Sequence, residues 1–273
     1  MKTKLINPVV AFGIMAAFVS TLLATPAYSA EDKAACVFVS LNNSAWVMQK
    51  DSQVKSTLKV GDVLKMGDRV IVTHGNKVQL SFDKDCKNIV QVEGDAMFYM
   101  DPAQPAKIQL QKGKMFALLD NLSPGSQFAI QTPTAVAAVR GTQYQVNILG
   151  QQSNIMTYRG RVLVSSVDAQ GNETLDSVIL EAGQKTSVDE VNKAPAEPSQ
   201  MTEGELSEIT VVSDSIDYTR KTIDSSSIES WLTDYEARAT QGSSESSSLV
   251  KSKSTNEDED PTPSESQKGG FIV

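Results

Sequence analysis

The stretch TPTAVAAVRGTQYQV, residues 132–146, carries the most information about the fold. Small apolar residues from Ala135 to Val139 precede Arg140, Gly141 and Thr142, and polar and apolar residues then alternate as far as Val146. Alternation with a period of two is typical of a strand with one buried face. Because glycine tolerates a positive φ, Gly141 predicts a corner of the backbone.

Short alternating runs of the same kind occur on both sides of this stretch. They are RVIVT, KVQLSF, NIVQV, KIQLQ, QFAIQ, QYQVNIL and RVLVS, with glycines recurring between them. These runs predict an all-β domain without a clear helix. A sandwich, a barrel and a stacked β-solenoid all fit this pattern.

The charge distribution divides the chain into two parts. Residues 30–195 contain 17 acidic and 17 basic residues, whereas residues 196–273 contain 16 acidic and 6 basic residues, a net charge of −10. We therefore expect a folded β domain over 30–195, a linker with a short helix over 196–240 and a disordered acidic tail over 241–273. In SIESWLTDYEARA the residues at helical spacing are Ile228, Trp231, Leu232 and Tyr235.

The first residues predict export. Lys2 and Lys4 precede an apolar run from Val9 to Ala24, and small residues at Ala27 and Ser29 form a cleavage site. We expect a signal peptide over 1–29 and a periplasmic or secreted protein with no transmembrane anchor in the mature chain. An uncleaved anchor is the alternative, but a membrane span needs about 20 uninterrupted apolar residues.

Export bears on the two cysteines. Exported compartments preserve disulfides, so we expect a bond between Cys36 and Cys86, with two separate buried thiols as the alternative.

Sites for chemistry are scarce in this sequence. His74 is the only histidine and lies in the turn sequence THGN, and no spacing of ligands supports a metal site. The acidic run 257–260 lacks the spaced ligands and the glycine of a calcium loop. Carboxylate pairs for glycoside chemistry can be recognised only from their separation in a structure. We expect no enzyme activity, no cofactor and, since no basic patch is present, no nucleic-acid partner.

Several motifs in order resemble the FecR domain family. These are VGDVLKMGDRVIVTHGNKVQLSF, with Gly61-Asp62 and Gly67-Asp68 six residues apart, then TPTAVAAVRGTQYQV, then YRGRVLVSS. The resemblance runs from about Trp46 to about Val188. It implies a β-helix-like solenoid domain in the bacterial envelope. Family members of the ferric-siderophore type are inner-membrane regulators that receive a signal from an outer-membrane transporter and control a sigma factor.

Two departures from the family limit what the resemblance implies. Those regulators carry a cytoplasmic anti-sigma segment and a membrane span before the domain, whereas this sequence begins with a predicted signal peptide. We therefore expect no direct contact with a cytoplasmic sigma factor. The family also tends to have an Asp-Gly-Ser-like turn after the VQLSF strand. Here the turn reads Asp83-Lys84-Asp85-Cys86, and a disulfide at Cys86 would restrain it instead.

Arg140 has two interpretations. It can be a buried strut that donates hydrogen bonds to carbonyl groups left open at the corner, which we favour, because a guanidinium offers five donors. The alternative is an anion site, which needs a second converging polar group.

The sequence as a whole indicates a non-enzymatic envelope protein whose β-solenoid module binds an envelope protein and takes part in signalling. The alternative is a structural scaffold that binds peptidoglycan or another glycan. Phe271, Ile272 and Val273 follow a long polar stretch, and we consider them a candidate partner-docking terminus that adds to a sheet edge.

Overall fold

The computed structural model describes residues 34–42, 45–50, 52, 54–101, 107–120, 122 and 127–252, with side chains from Ala45 to Arg238. The predicted signal peptide, the acidic run 257–260 and the candidate terminus at Phe271, Ile272 and Val273 lie outside the described residues.

Sixteen strands and two helices make up the described part of the chain. The strands are β1 (Ala34–Asn42), β2 (Ala45–Met48), β3 (Lys55–Thr57), β4 (Val63–Lys65), β5 (Arg69–Val72), β6 (Lys77–Ser81), β7 (Asn88–Met100), β8 (Lys107–Leu119), β9 (Phe128–Gln131), β10 (Ala135–Val139), β11 (Gln143–Leu149), β12 (Gln152–Arg159), β13 (Val162–Val167), β14 (Glu173–Leu180), β15 (Gln184–Val188) and β16 (Ser199–Gln200). The helices are α1 (Glu203–Thr222) and α2 (Ser225–Ser252).

The long strands β7 and β8 join two layers. The first half of β7 pairs with β6 and its second half with β5, while β8 pairs with β11 through its second half and with β9 through its first half. The first layer contains β1, β4, β6, β11, β12, β15 and β16, and the second contains β2, β3, β5, β9, β10, β13 and β14. Both layers bury apolar side chains in one main core, which includes Leu80, Phe98, Phe128, Tyr144 and Val164.

The two helices cover the outer face of the first layer. Val212 and Ile216 of α1 and Ile228 of α2 pack with Ile89 and Phe116 in a second apolar cluster. Trp231 of α2 lies against the turn at Gly61, where an added Cβ would come within 2.9 Å of the indole ring. The folded part of the chain therefore extends beyond the charge-balanced residues 30–195, because apolar residues of both helices pack on the outer surface of the sheet.

The prediction of an all-β domain is confirmed for the sheet, whereas the solenoid is not confirmed. Neighbouring strands pair antiparallel except β8 and β9, which are parallel. The predicted linker over 196–240 instead holds α1, which has 20 residues, and the first part of α2. Helix α2 also extends to Ser252, into the segment predicted to be disordered.

The turn after β6 is restrained by polar side chains. The carboxylate of Asp83 accepts hydrogen bonds from the backbone N–H groups of Asp85, Lys87 and Asn88, at 2.9, 3.0 and 2.6 Å. Arg220 of α1 donates to the carbonyl groups of Cys86 and Lys87, at 2.7 and 3.1 Å. Asp83 and Arg220 thus restrain this turn, which is the role predicted for a disulfide at Cys86.

The predicted Cys36–Cys86 disulfide is not confirmed. Cys86 is a free, buried cysteine, and burial raises the pKa of its thiol. The side chain of Cys36 lies outside the described side chains, although its backbone pairs with Leu64. The bond stays a prediction, which thiol titration of the denatured, unreduced protein decides: no reactive thiol supports the bond and two exclude it.

Candidate interaction site

The corner at Arg140, Gly141 and Thr142 packs against the turn that joins β12 to β13. Gly141 and Gly160 have φ values of +104° and +82°, so both turns use a conformation that favours glycine. A Cβ on Gly160 would lie 3.0 Å from the carbonyl oxygen of Gly141. The buried hydroxyl of Thr142 donates to the carbonyl oxygen of Arg161 at 3.1 Å. This contact holds Arg140 and Arg161 near each other.

Arg140 is exposed, and among the described residues no hydrogen bond joins its side chain to the corner. The interpretation of Arg140 as a buried strut is therefore wrong. Thr142 performs the restraining role, because its hydroxyl donates to the carbonyl group of Arg161 across the two turns. The converging polar group required by the alternative interpretation is present, since Arg161 lines the same surface cavity.

This cavity, which we call the arginine groove, has a volume of about 340 Å³. It lies on the outer face of the second layer, which the helices do not cover. Its lining combines two cations with apolar side chains and one amide: Arg140, Arg161, Ala138, Val139, Leu163, Ile179 and Gln127.

Strand register produces this combination. Ala138 pairs with Leu163, and Leu163 pairs with Ile179, so one apolar row crosses β10, β13 and β14. Leu163 and Ile179 are 40% and 55% exposed. Because Val139 pairs with Val162, the next residues outward, Arg140 and Arg161, are neighbours at the end of this row.

Strand β14 forms the border of the groove. Within the described residues it pairs only with β13, and this pairing is irregular between Glu173 and Ser177, so the regular free edge runs from Ser177 to Leu180. It is eight residues long, and Leu175 on its outer face is fully exposed. An edge strand with exposed apolar side chains can pair with another chain, and here the irregular register confines that pairing to the second half of β14.

The groove differs from two other cavities in its charge. A cavity of about 410 Å³ between β4 and α2 contains Asp62 and Asp68 together with Lys65, and a smaller one beside β15 contains Glu205 together with Lys185. No carboxylate is among the described residues that line the arginine groove. Among the described residues, neither guanidinium of the groove has a carboxylate partner, so both cations are available to an incoming anion.

Buried Asp68 belongs to one of the two repeated Gly-Asp motifs. Asp62 accepts a hydrogen bond from the N–H of Lys59 at 2.7 Å, and Asp68 accepts one from the N–H of Lys65 at 2.9 Å. Both motifs therefore close the same kind of turn. Burial raises the pKa of Asp68 against the opposing effect of the hydrogen bonds from the backbone N–H groups of Lys65 and Lys50. A structural role for both aspartates follows from this geometry.

Reactive groups do not converge elsewhere in the described residues. No group of three His, Cys, Asp or Glu side chains there is placed to hold a metal ion. His74 is exposed in its turn. In the described ranges, no helix has the length and apolar character that crossing a membrane requires. The arginine groove is suited to noncovalent recognition of an anionic, partly apolar partner.

Sequence reasoning identified Arg140, Gly141 and Thr142 but missed Arg161. The available signal was the motif YRGRVLVSS, in which Arg161 precedes an alternating strand just as Arg140 follows one. Only the pairing of β10 with β13 shows that the two arginines are neighbours.

Comparison with known proteins gives one family and a set of distant structures. Residues 68–163 match the family model described as FecR protein. Two crystal structures of a proposed anti-sigma factor from Parabacteroides distasonis are similar, each with a TM-score of 0.41 and 14% identity. The matches cover 52% and 51% of this chain and 64% and 62% of the other protein, which is less than two thirds of its length. No curated protein sequence matches significantly.

The matched segment begins at Asp68, in the second Gly-Asp turn, and ends at Leu163, in the arginine groove. It includes β7, β8 and the corner at Arg140, Gly141 and Thr142. Over residues 68–163 the chain is therefore similar to the FecR family.

Proposed function

We propose that this protein is a non-enzymatic bacterial envelope protein that binds another envelope protein and takes part in signalling. The FecR family match supports a role in envelope signalling or regulation. The single observation that carries the proposed binding is the arginine groove beside the unpaired edge of β14. Export through a signal peptide is part of the proposal and places this surface in the periplasm or outside the cell.

The chemistry of the groove specifies its partner. An extended segment that pairs with β14 forms backbone hydrogen bonds and places every second side chain above the outer face. A side chain beside Ile179 would be apolar, and a side chain at the end of the row would be acidic to face Arg140 and Arg161. Charge-assisted hydrogen bonds from arginine to carboxylate favour this arrangement.

Glycan binding receives less support from this surface. Carbohydrate sites usually present aromatic platforms, and none of the residues lining the groove is aromatic. The cations and apolar row fit a protein segment better than a neutral sugar.

Photo-crosslinking in cells tests the proposed binding. A photoreactive amino acid replaces Ile179 in the groove, and the matched control replaces Leu149, which is 60% exposed at the end of β11 in the other layer. We expect a defined envelope protein to be crosslinked at position 179 and absent at position 149. The double variant Arg140→Glu and Arg161→Glu should abolish that product.

Identical products at both positions, or peptidoglycan as the only product at position 179, would overturn the proposal. A product that contains only two copies of this chain would also overturn binding to another envelope protein at this surface.

A further inference from the structure

We propose that the cavity between β4 and α2 binds a small zwitterion, namely an α-amino acid or a dipeptide with an apolar side chain. The cavity has a volume of about 410 Å³, within the range of about 300–1,000 Å³ that is usual for small-molecule sites. No described residue lines both this cavity and the arginine groove. The inference therefore goes beyond the proposed function and does not depend on it.

The sheet side of the cavity presents a buried carboxylate. Asp68, in the turn between β4 and β5, lines the cavity and is only 3% exposed. Its oxygens accept hydrogen bonds from the backbone N–H groups of Lys65 and Lys50, at 2.9 and 3.4 Å. Among the described residues these are its partners, and neither is a side-chain cation. Because a carboxylate can accept about four hydrogen bonds, Asp68 has room for a ligand ammonium group.

The helix side of the same cavity presents a guanidinium. Arg238 of α2 donates from Nε to the carbonyl oxygen of Asp234 at 3.1 Å, which leaves its other N–H groups for further partners. Within the described part of the chain, no carboxylate pairs with Arg238. Asp68 and Arg238 thus line one cavity without forming an ion pair with each other. A ligand that carries both charges would connect them.

The rest of the lining favours a zwitterion with an apolar side chain. Leu58 and Leu64 are each 1% exposed, and both line the cavity. The other charged residues of the lining, Asp62 and Lys65, balance each other, so the cavity is neutral overall. A ligand with a single charge would leave either the buried carboxylate or the guanidinium without a partner. An apolar zwitterion satisfies both and also covers the leucines.

Isothermal titration calorimetry of the full chain tests the inference, with L-leucine and L-leucyl-L-leucine as the two probes. We expect at least one of them to bind with one-to-one stoichiometry, and the probe that binds more tightly distinguishes an amino acid from a dipeptide. Each probe has two matched analogues, a C-terminal amide that lacks the carboxylate and an N-acetyl form that lacks the ammonium group. Both analogues should bind at least about tenfold more weakly, because each loses a charge-assisted contact.

Two variants assign the charges of the ligand to the residues of the cavity. Arg238→Gln should remove the difference between the zwitterion and its amide, and Lys221→Gln, an exposed position on α1, is the matched control. Asp68→Asn keeps a carbonyl oxygen for the N–H of Lys65 and should remove the preference for a free ammonium group. Because Arg238 is exposed, the first variant gives a result even where Asp68→Asn does not fold.

Three results would each overturn the inference. They are the absence of saturable binding of both probes at concentrations on the order of 10 mM, equal affinity for a zwitterion and its singly charged analogues, and an unchanged preference for the carboxylate in Arg238→Gln. None of them bears on whether an envelope protein is crosslinked at position 179.

Discussion

Thr142 shows how a single hydroxyl determines the position of two cations. Its side chain is buried and donates to the carbonyl oxygen of Arg161. Replacing Thr142 with valine removes the hydroxyl donor from that carbonyl, so we expect the free energy of unfolding to fall by about 1–2 kcal/mol in urea denaturation. Thr142→Ser retains the hydroxyl and is the control.

Arg140 should behave differently in the same measurement. It is exposed, so Arg140→Ala should change the free energy of unfolding by less than about 0.5 kcal/mol. A larger loss for Arg140→Ala than for Thr142→Val would restore the strut interpretation.

Glu93 makes the stability of the folded protein depend on pH. Burial opposes ionisation of Glu93, but the hydrogen bonds and charges of Lys77 and Lys114 outweigh this effect and lower the pKa of its carboxyl group. Lys77 and Lys114 lie 3.0 and 3.1 Å from its carboxylate oxygens. A depressed folded-state pKa stabilises the fold above the unfolded pKa, and this contribution is lost as pH falls through the folded value.

We therefore expect Glu93→Gln to flatten the loss of stability below about pH 4.5, the range in which an ordinary glutamate titrates. Urea midpoints measured from pH 3 to pH 7 check this, with Glu173→Gln on the exposed edge as the control. A variant whose acid dependence equals that of the native chain would contradict the assignment.

At the scale of elements, the strands were predictable and helix α1 was not. Alternation in runs such as KVQLSF and RVLVS predicts one apolar face on the core, and Val78 and Leu80 of β6 and Val162 and Val164 of β13 lie there. Helix α1 is rich in Ser, Thr, Asp and β-branched residues, and its buried face holds only Val212, Ile216 and Thr219. A sparse apolar face gives a weak periodic signal.

A local signal for α1 was nevertheless present. Thr202 and Glu205 form a capping box in which each side chain accepts a hydrogen bond from the other residue's backbone N–H. The arginine groove could not be predicted, because Arg140 and Arg161 become neighbours only through the pairing of β10 with β13.

Two adjacent valines test the packing of α1. Val212 is 2% exposed and belongs to the second apolar cluster, whereas Val211 is 63% exposed. Val212→Ala should lower the free energy of unfolding by about 1–3 kcal/mol, because it leaves a cavity against the sheet. Val211→Ala should be neutral or slightly stabilising, since alanine has the higher helix propensity. Equal effects of the two changes would show that α1 does not pack as described.

At the scale of the whole molecule, the folded unit extends beyond the change in charge. A chain that ends after Gln200 lacks both helices and exposes Ile89, Phe116 and Leu118. We expect this shortened chain to bind a hydrophobic dye and to aggregate, whereas a chain that ends after Ser252 should not. Dye fluorescence and light scattering of the two chains give the comparison. A soluble, dye-free chain ending at Gln200 would restore the boundary near residue 195.

The polar contacts beneath α1 have a consequence for how the helix is aligned. Gln79 of β6 donates to Gln91 and to Ser215 of α1, at 2.8 and 3.1 Å, and accepts a hydrogen bond from Thr219. Apolar contacts alone would let a helix slide by one turn, about 5.4 Å, with little change in buried area. A shift of that size would leave the buried amide of Gln79 without its helical partners. The amide of Gln79 therefore fixes the position of α1 along its own axis. The same position brings Arg220 to the carbonyl groups of Cys86 and Lys87.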